Sequence, residues 1–414
     1  VQETMMTQEE AGTIRLKDFV RVVGEEEVDE IRALASRLQG KSVTHINSTA
    51  YGGGVAEILY GMVPLMRDCG FDVDWQVIKG SYEFFNVTKK IHNALQGLNV
   101  DLTDEERKIY IEYNRTNSEL RQIDSDFVVV HDNQPAPLIE FFPTRHGKWI
   151  WRCHVDLSTP NIVVWNFLEQ FISHYNAAIF SSEKYVIPSL RVPKTAIIPP
   201  SINPLSDKNR EIPEDLVAEL LEKFSVATDK PIIAQVGRFD RWKDTLGAID
   251  VYRLVKKEIP QVQLCLIASM ANDDPEGWLY FEKAARHAGD DGDIHMLTDL
   301  IGVKDLEVNA FQRSSNVVLQ MSTREGFGLT VSEAMWKGVP VVGRNVGGIP
   351  LQIVDGENGY LVGSIQEAAD KTVHLLKNVD EAKKMGKAGR ERVLRNFLVT
   401  QHLKNYFRLF SDLS

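Results

Sequence analysis

The sequence predicts an α/β protein of two doubly wound domains with a cleft between them. Short apolar runs alternate with amphipathic helical stretches along most of the chain, and the same alternation restarts after a proline-rich interruption near residue 200. A length of 414 residues agrees, being too great for one hydrophobic core.

Residues 1–40 read as an acidic, amphipathic N-terminal extension, whose apolar stripe from Leu16 to Leu38 could pair with a second copy in a homodimer. The first domain, residues 41–200, carries strand candidates at Ser42 to Ile46, Val73 to Ile78, Phe127 to His131, Trp149 to Val155 and Ala177 to Ser181. Amphipathic segments lie between them, such as Val55 to Cys69, which Gly70 closes as a C-terminal cap. Strands alternating with helices imply a parallel sheet covered on both faces. Pro199, Pro200 and Pro204 resist both helix and central strand and mark the boundary. The second domain, 201–380, repeats the pattern at Ile232 to Val236, Gln263 to Ile267, Ile294 to Leu297, Asn316 to Met321, Val339 to Val342 and Gly359 to Val362. Residues 381–414 have helical periodicity with no following strand and are expected to pack back toward the first domain.

Composition excludes several function classes. A hydrophobic fraction of 43% and a charged fraction of 25% are those of a soluble globular protein. The net charge is −11, without a basic stretch to hold nucleic acid or anionic lipid. No apolar run approaches the roughly 20 residues of a membrane span, and residues 1–10 lack the basic start and apolar core of an export signal. Cys69, Cys153 and Cys265 are far apart in apolar settings, as reduced core residues are, which points to the cytoplasm.

Chemistry concentrates at the predicted strand ends, where open parallel sheets bind their ligands. Glu325 and Glu333 lie in Thr-Arg-Glu-Gly-Phe-Gly-Leu-Thr-Val-Ser-Glu, between the strand ending near Ser322 and a helix from Leu329 to Gly338. Gly326, Phe327 and Gly328 form the turn, and the free N–H groups of Leu329 and Thr330 at the helix start favour an anion such as a phosphate. A solvated and a capping glutamate would serve the same pattern. Arg238 and Lys243 follow the first strand of the second domain and suit a diphosphate, although a solvated basic loop also accommodates them. Gly52, Gly53 and Gly54 let the backbone approach a bulky ligand, or simply turn the chain. His131, Asp132, Asn133 and His154 are polar groups at the ends of apolar strands and fit a polar cleft, with His131 also explicable as a satisfied core histidine. The acidic pairs Asp273–Asp274 and Asp290–Asp291 lack histidine at ligand spacing, so no metal site is assigned.

In this order across two domains, these motifs resemble the retaining, nucleotide-sugar-dependent glycosyltransferases of family 4, which have the GT-B architecture of two Rossmann-like domains. The resemblance runs from about Val43 to the tail. It implies catalytic roles for Glu325, His154, Arg238 and Lys243. Arg238 and Lys243 would hold the diphosphate, joined by backbone N–H groups of Gly53, Leu329 and Thr330. Glu333 would take the ribose, Glu325 and the Gly326–Gly328 turn the transferred sugar, His154 that sugar from the other domain, and Ile301 with Leu300 the base. Within the family, the Tyr82 to Gly97 stretch and Gly237-Arg-Phe-Asp-Arg-Trp-Lys-Asp are similar to trehalose synthases of the glycosyltransferring type and to retaining trehalose phosphorylases. Asp132, Asn133 and His154 are then expected at an acceptor glucose.

The resemblance thus implies a hexosyltransferase making α,α-trehalose from ADP-glucose or UDP-glucose and free glucose. It requires no metal and is compatible with magnesium arriving on the nucleotide. A trehalose phosphorylase, a transferase with another acceptor such as sucrose-phosphate synthase, and a catalytically silent nucleotide-sugar sensor are the alternatives. An arginine for a sugar phosphate is not evident near the glycine loop, with Arg145 and Arg152 as the remaining candidates.

Overall fold

The computed structural model describes residues 14–51, 53–269 and 276–414. Gly52, the Asp273–Asp274 pair and residues 1–13 of the extension lie outside the described residues.

Twelve strands among the described residues form two six-stranded parallel sheets. The first contains β1 (Ser42–Asn47), β2 (Asp72–Val77), β3 (Phe127–His131), β4 (Lys148–Arg152), β5 (Ala177–Phe180) and β6 (Lys194–Ile197), in the order β2-β1-β3-β4-β5-β6. The second contains β7 (Ile232–Arg238), β8 (Gln263–Ser269), β9 (Ile294–Thr298), β10 (Val317–Gln320), β11 (Val341–Arg344) and β12 (Tyr360–Val362), in the order β12-β11-β10-β7-β8-β9. Each order reverses once, between β1 and β3 and between β7 and β10. A reversal opens a crevice at the carboxyl ends of its two strands, and here the two crevices face each other.

The differences from the sequence reading have physical causes. β6 escapes the reading because Lys-Thr-Ala-Ile is a half-exposed edge strand closely flanked by Pro193 and Pro199, with little apolar signal. β4 stops at Arg152, short of the Val155 expected, because the chain turns there. The Cys153 N–H still reaches the Ile179 carbonyl, but the His154 N–H goes to Asp132 Oδ1, 2.7 Å away.

The tail is two helices, Val379–Asn396 and Val399–Leu413. The latter lays its apolar face on the first sheet, with Phe410 stacked on Phe127 (4.2 Å between centroids) and Phe407 on Phe71 (4.9 Å). Leu16, Phe19, Val28 and Ile31 of the extension are buried in that same core. The chain's own last helix thus covers the apolar stripe that was expected to face a second copy. Lys404 adds ion pairs to Glu27 and Glu30 at 2.7 and 2.9 Å.

Candidate active site

The second sheet delivers an ionic wall. Arg238 ends β7, and Lys243 lies on the loop before the helix Thr245–Glu258. Lys243 Nζ meets Glu325 Oε2 at 2.6 Å. The same oxygen accepts from Gln320 Nε2 (2.9 Å) and Ser322 Oγ (3.0 Å), while Oε1 takes no such bond among the described residues. Gln320 ends β10 and also accepts from Thr330 Oγ1 at 2.9 Å, so one amide ties the glutamate to the helix start. Sequence reasoning missed Gln320 and Ser322, because a polar residue at a strand end has no motif of its own.

Backbone geometry explains the glycines of this turn. Gly328, at φ 85°, precedes the helix Leu329–Trp336 in the left-handed region that suits glycine. A Cβ on Gly326 would stand 1.9 Å from the His154 carbonyl oxygen, so the turn touches the first domain directly. Tyr185 of the first domain donates to the Glu325 carbonyl at 3.1 Å. Phe327 is buried against Phe397. Ile301 is exposed on the short turn after β9, as is Leu300.

Glu333 is fully buried and held across the interface. Lys208 Nζ lies 3.1 Å from its Oε1 and 2.9 Å from Glu57 of the first-domain helix Gly54–Asp68. Burial would raise the Glu333 carboxyl, but Lys208 and Lys337 beside it bring it below its ordinary value. Burial pushes Glu57 up to about 8 against the pull of Lys208, with Glu333 adding to the rise. Burial likewise brings Lys337 down to about 7. The ribose role implied for Glu333 thus meets a carboxylate already paired with a lysine. Lys208 left no signal, being one lysine in a proline-rich connection.

The first domain delivers a polar wall, with Asp132 and Lys89 as its acidic and basic members. Asn47 at the end of β1, His131 at the end of β3, Asp132, Gln134 and Gly53 line a cavity that Arg238 closes from the other domain. Asp132 sits at φ 63° and accepts from the His154 N–H. Asn133 is not brought to this cavity: it is wholly buried and gives its amide to the Thr88 carbonyl at 3.1 Å. His154 is half-buried and stands outside this lining, its Nε2 3.0 Å from His131 Nδ1. Burial, then the neighbouring Arg152 cation, holds the His154 imidazole well below its ordinary value. At the cleft edge, Trp242 Nε1 donates to Asn93 Oδ1 across the domains at 2.9 Å. Gly53 precedes its helix, and a Cβ on Gly54 would lie 3.2 Å from Leu329 Cδ1, so the two helix starts abut. Among the described residues no group of three acidic, histidine or cysteine side chains could hold a metal ion, and no helix is long and apolar enough to cross a membrane. Asp291 of the other acidic pair is bound by Lys256 at 2.8 Å.

Two Rossmann-like domains with facing crevices, one basic and one polar, define a glycosyltransferase of the GT-B architecture. Residues 45–187 match the family model described as trehalose synthase, N-terminal domain, and residues 218–392 match glycosyl transferases group 1. The chain belongs to the trehalose synthase family and is a hexosyltransferase of trehalose-related glycosyl transfer. It is 55% identical to a trehalose synthase of Thermococcus litoralis over 96% of this chain and 97% of that one, and 47% identical to one of Rubrobacter xylanophilus over 99% of each. In fold it is similar to sucrose-phosphate synthase from Thermosynechococcus elongatus, with TM-score 0.70 and 17% identity over 90% of this chain and 99% of that one. An α,α-trehalose 6-phosphate synthase from Burkholderia multivorans aligns equally well, with TM-score 0.70 and 15% identity over 91% and 99%.

Proposed function

We propose that the protein moves glucose from ADP-glucose or UDP-glucose to the anomeric hydroxyl of free glucose, with retention of configuration and reversibly, giving α,α-trehalose. The observation that carries this reading is the meeting of Arg238 with Gly53 across one cavity, beside Lys243 and the helix start at Leu329. Fixed cations and backbone donors stabilise the negative charge that develops on a departing diphosphate. The bond from the donor's anomeric carbon to the diphosphate breaks as the bond to the acceptor oxygen forms, and the acceptor proton passes to the leaving phosphate on the same face. Because the product bond joins two anomeric carbons, it remains activated, and the reaction runs both ways.

Glu325 serves this scheme as a positioner of the donor sugar. Three donors on its Oε2, one of them an ammonium at 2.6 Å, blunt a carboxylate as a nucleophile and suit one that orients hydroxyls. Free glucose as acceptor is favoured by both candidate arginines. Arg152 is wholly buried, and Arg145, near the amino end of β4, gives its guanidinium to the Phe142 and His174 carbonyls. Magnesium would enter on the nucleotide.

Incubation with trehalose and each nucleoside diphosphate tests the reading. Nucleotide-glucose and free glucose in equal amounts are expected from at least one of them. Glucose 1-phosphate formed from trehalose and inorganic phosphate alone, with every nucleotide inert, would replace the reading with a phosphorylase.

A further inference from the structure

Along the first-domain wall three imidazoles are joined end to end. His45 Nδ1 lies 3.0 Å from His131 Nε2, and His131 Nδ1 lies 3.0 Å from His154 Nε2. Neighbouring ring centroids are 5.3 Å apart in both contacts. The register explains the first pair: His45 on β1 sits beside Val129 on β3, two residues before His131, so both rings rise from one face of the sheet. The inner end of the chain abuts the ring of Tyr406, 6.3 Å from His45, on the last helix.

Burial keeps all three rings neutral. It brings His45 down to about 3 and holds His131 and His154 well below their ordinary value, with Arg152 adding to the effect on the latter two. With charge removed as a variable, what remains is which nitrogen of each ring bears the proton.

An N···N hydrogen bond holds one proton, so the tautomer of one ring dictates that of the next, and only two in-line arrangements satisfy both bonds. The inner end decides between them. His45 Nε2 is buried without a hydrogen-bond partner. A buried N–H left orphaned is rarer in proteins than an under-used acceptor, which favours a bare nitrogen there. The His45 proton then sits on Nδ1 and is donated to His131 Nε2. His131 in turn donates from Nδ1 to His154 Nε2, and the proton of His154 is left on its own Nδ1.

We propose that His45 and His131 are positioning residues that lock His154 in the Nδ1–H tautomer, so that it meets a sugar oxygen as a hydrogen-bond donor. The sugar contact rests on the reading of His154 under the proposed function, whereas the tautomer does not. A donor at this place is neutral, which suits a hydroxyl that must be held without being deprotonated.

The test uses the full chain with isotope-labelled histidine and long-range proton–nitrogen correlation spectra, with His154→Asn and His45→Asn supplying assignments. Protonation of His45, His131 and His154 on Nδ1 is expected. An Nε2–H signal for His154 would overturn the proposal. Kinetics supply a second readout, because His45→Phe removes the first donor of the chain while His45→Asn keeps an N–H near the Nδ1 position. The Phe variant should lose about tenfold in kcat, the factor that one neutral hydrogen bond supplies, with KM for the nucleotide-sugar unchanged, and the Asn variant should recover most of the loss. A folded Phe variant with wild-type kcat, or a loss the Asn variant does not recover, would count against the proposal. If the Phe variant does not fold, the wild-type spectra decide. A wild-type protein inert toward nucleotide-glucose would end the donor reading yet leave the tautomer result standing.

Discussion

The two walls of the cleft come from the same kind of sheet yet solve different electrostatic problems. The second-domain wall keeps its charges and pairs them: Lys243 with Glu325 at 2.6 Å, and Lys208 with Glu333 at 3.1 Å. The first-domain wall carries Asp132 and Lys89 beside His131, whose ring joins those of His154 and His45, all three imidazoles driven neutral by burial. The difference teaches a division of labour. A diphosphate calls for fixed positive charge, whereas sugar hydroxyls take oriented hydrogen-bonding partners, carboxylates and neutral imidazoles alike.

The largest expected effect comes from breaking the ionic wall. Lys243→Met leaves the Glu325 carboxylate buried without its cation and removes a charge from the leaving group, so turnover should fall on the order of 100- to 1,000-fold in steady-state trehalose assays. Glu325→Ala should collapse turnover while leaving nucleotide binding largely intact, because the Lys243 cation assigned to the diphosphate remains. Wild-type turnover in that variant would remove Glu325 from the site.

The first-domain wall should respond less. For His154→Ala a loss of about 10- to 100-fold in kcat is expected, with the affinity for nucleoside diphosphate unchanged.

A smaller effect concerns pH. Glu57, raised from 4.5 to about 8, binds its proton more tightly in the folded chain than in the unfolded one. Its contribution to stability is therefore full below pH 4.5 and is lost as pH rises through about 8. Lys208, Glu333 and Lys337 face it. Lys337, lowered to about 7, acts in the opposite sense, adding stability as pH rises from about 7 toward 10.5. Glu57→Gln should remove the downward part of this profile, a change of about 1 kcal/mol for a partly exposed, water-screened carboxyl. Melting temperatures of the variant and the wild type between pH 5 and pH 8 measure it, and parallel curves would show that the proton is not held there.

What the sequence made legible follows the same physics. Buried parallel strands are nearly continuous apolar runs, and the half-exposed edge strand β2 keeps Val73, Trp75 and Val77 in alternation, so eleven of the twelve were readable, whereas the Lys-Thr-Ala-Ile of β6 offers little apolar signal. Gly326 and Gly328 and the cations Arg238 and Lys243 announced themselves because tight turns and phosphates demand particular residue types. Glu57, Lys208, Gln320 and His45 stayed hidden. Glu57, Lys208 and His45 matter through partners distant in the chain, His45 through His131, 86 residues away, while Gln320, whose partner Glu325 is five residues on, belongs to no motif. Asn133 misled for a related reason: a polar residue at a strand end can face the cleft or the core, and only packing decided for Thr88.

Calorimetric titration of a nucleoside diphosphate into the wild type, Lys243→Met and His154→Ala tests the division between the walls most directly. The account predicts that binding is lost or weakened by at least tenfold in Lys243→Met and is unchanged in His154→Ala. Equal weakening in both variants, or none in Lys243→Met, would contradict it.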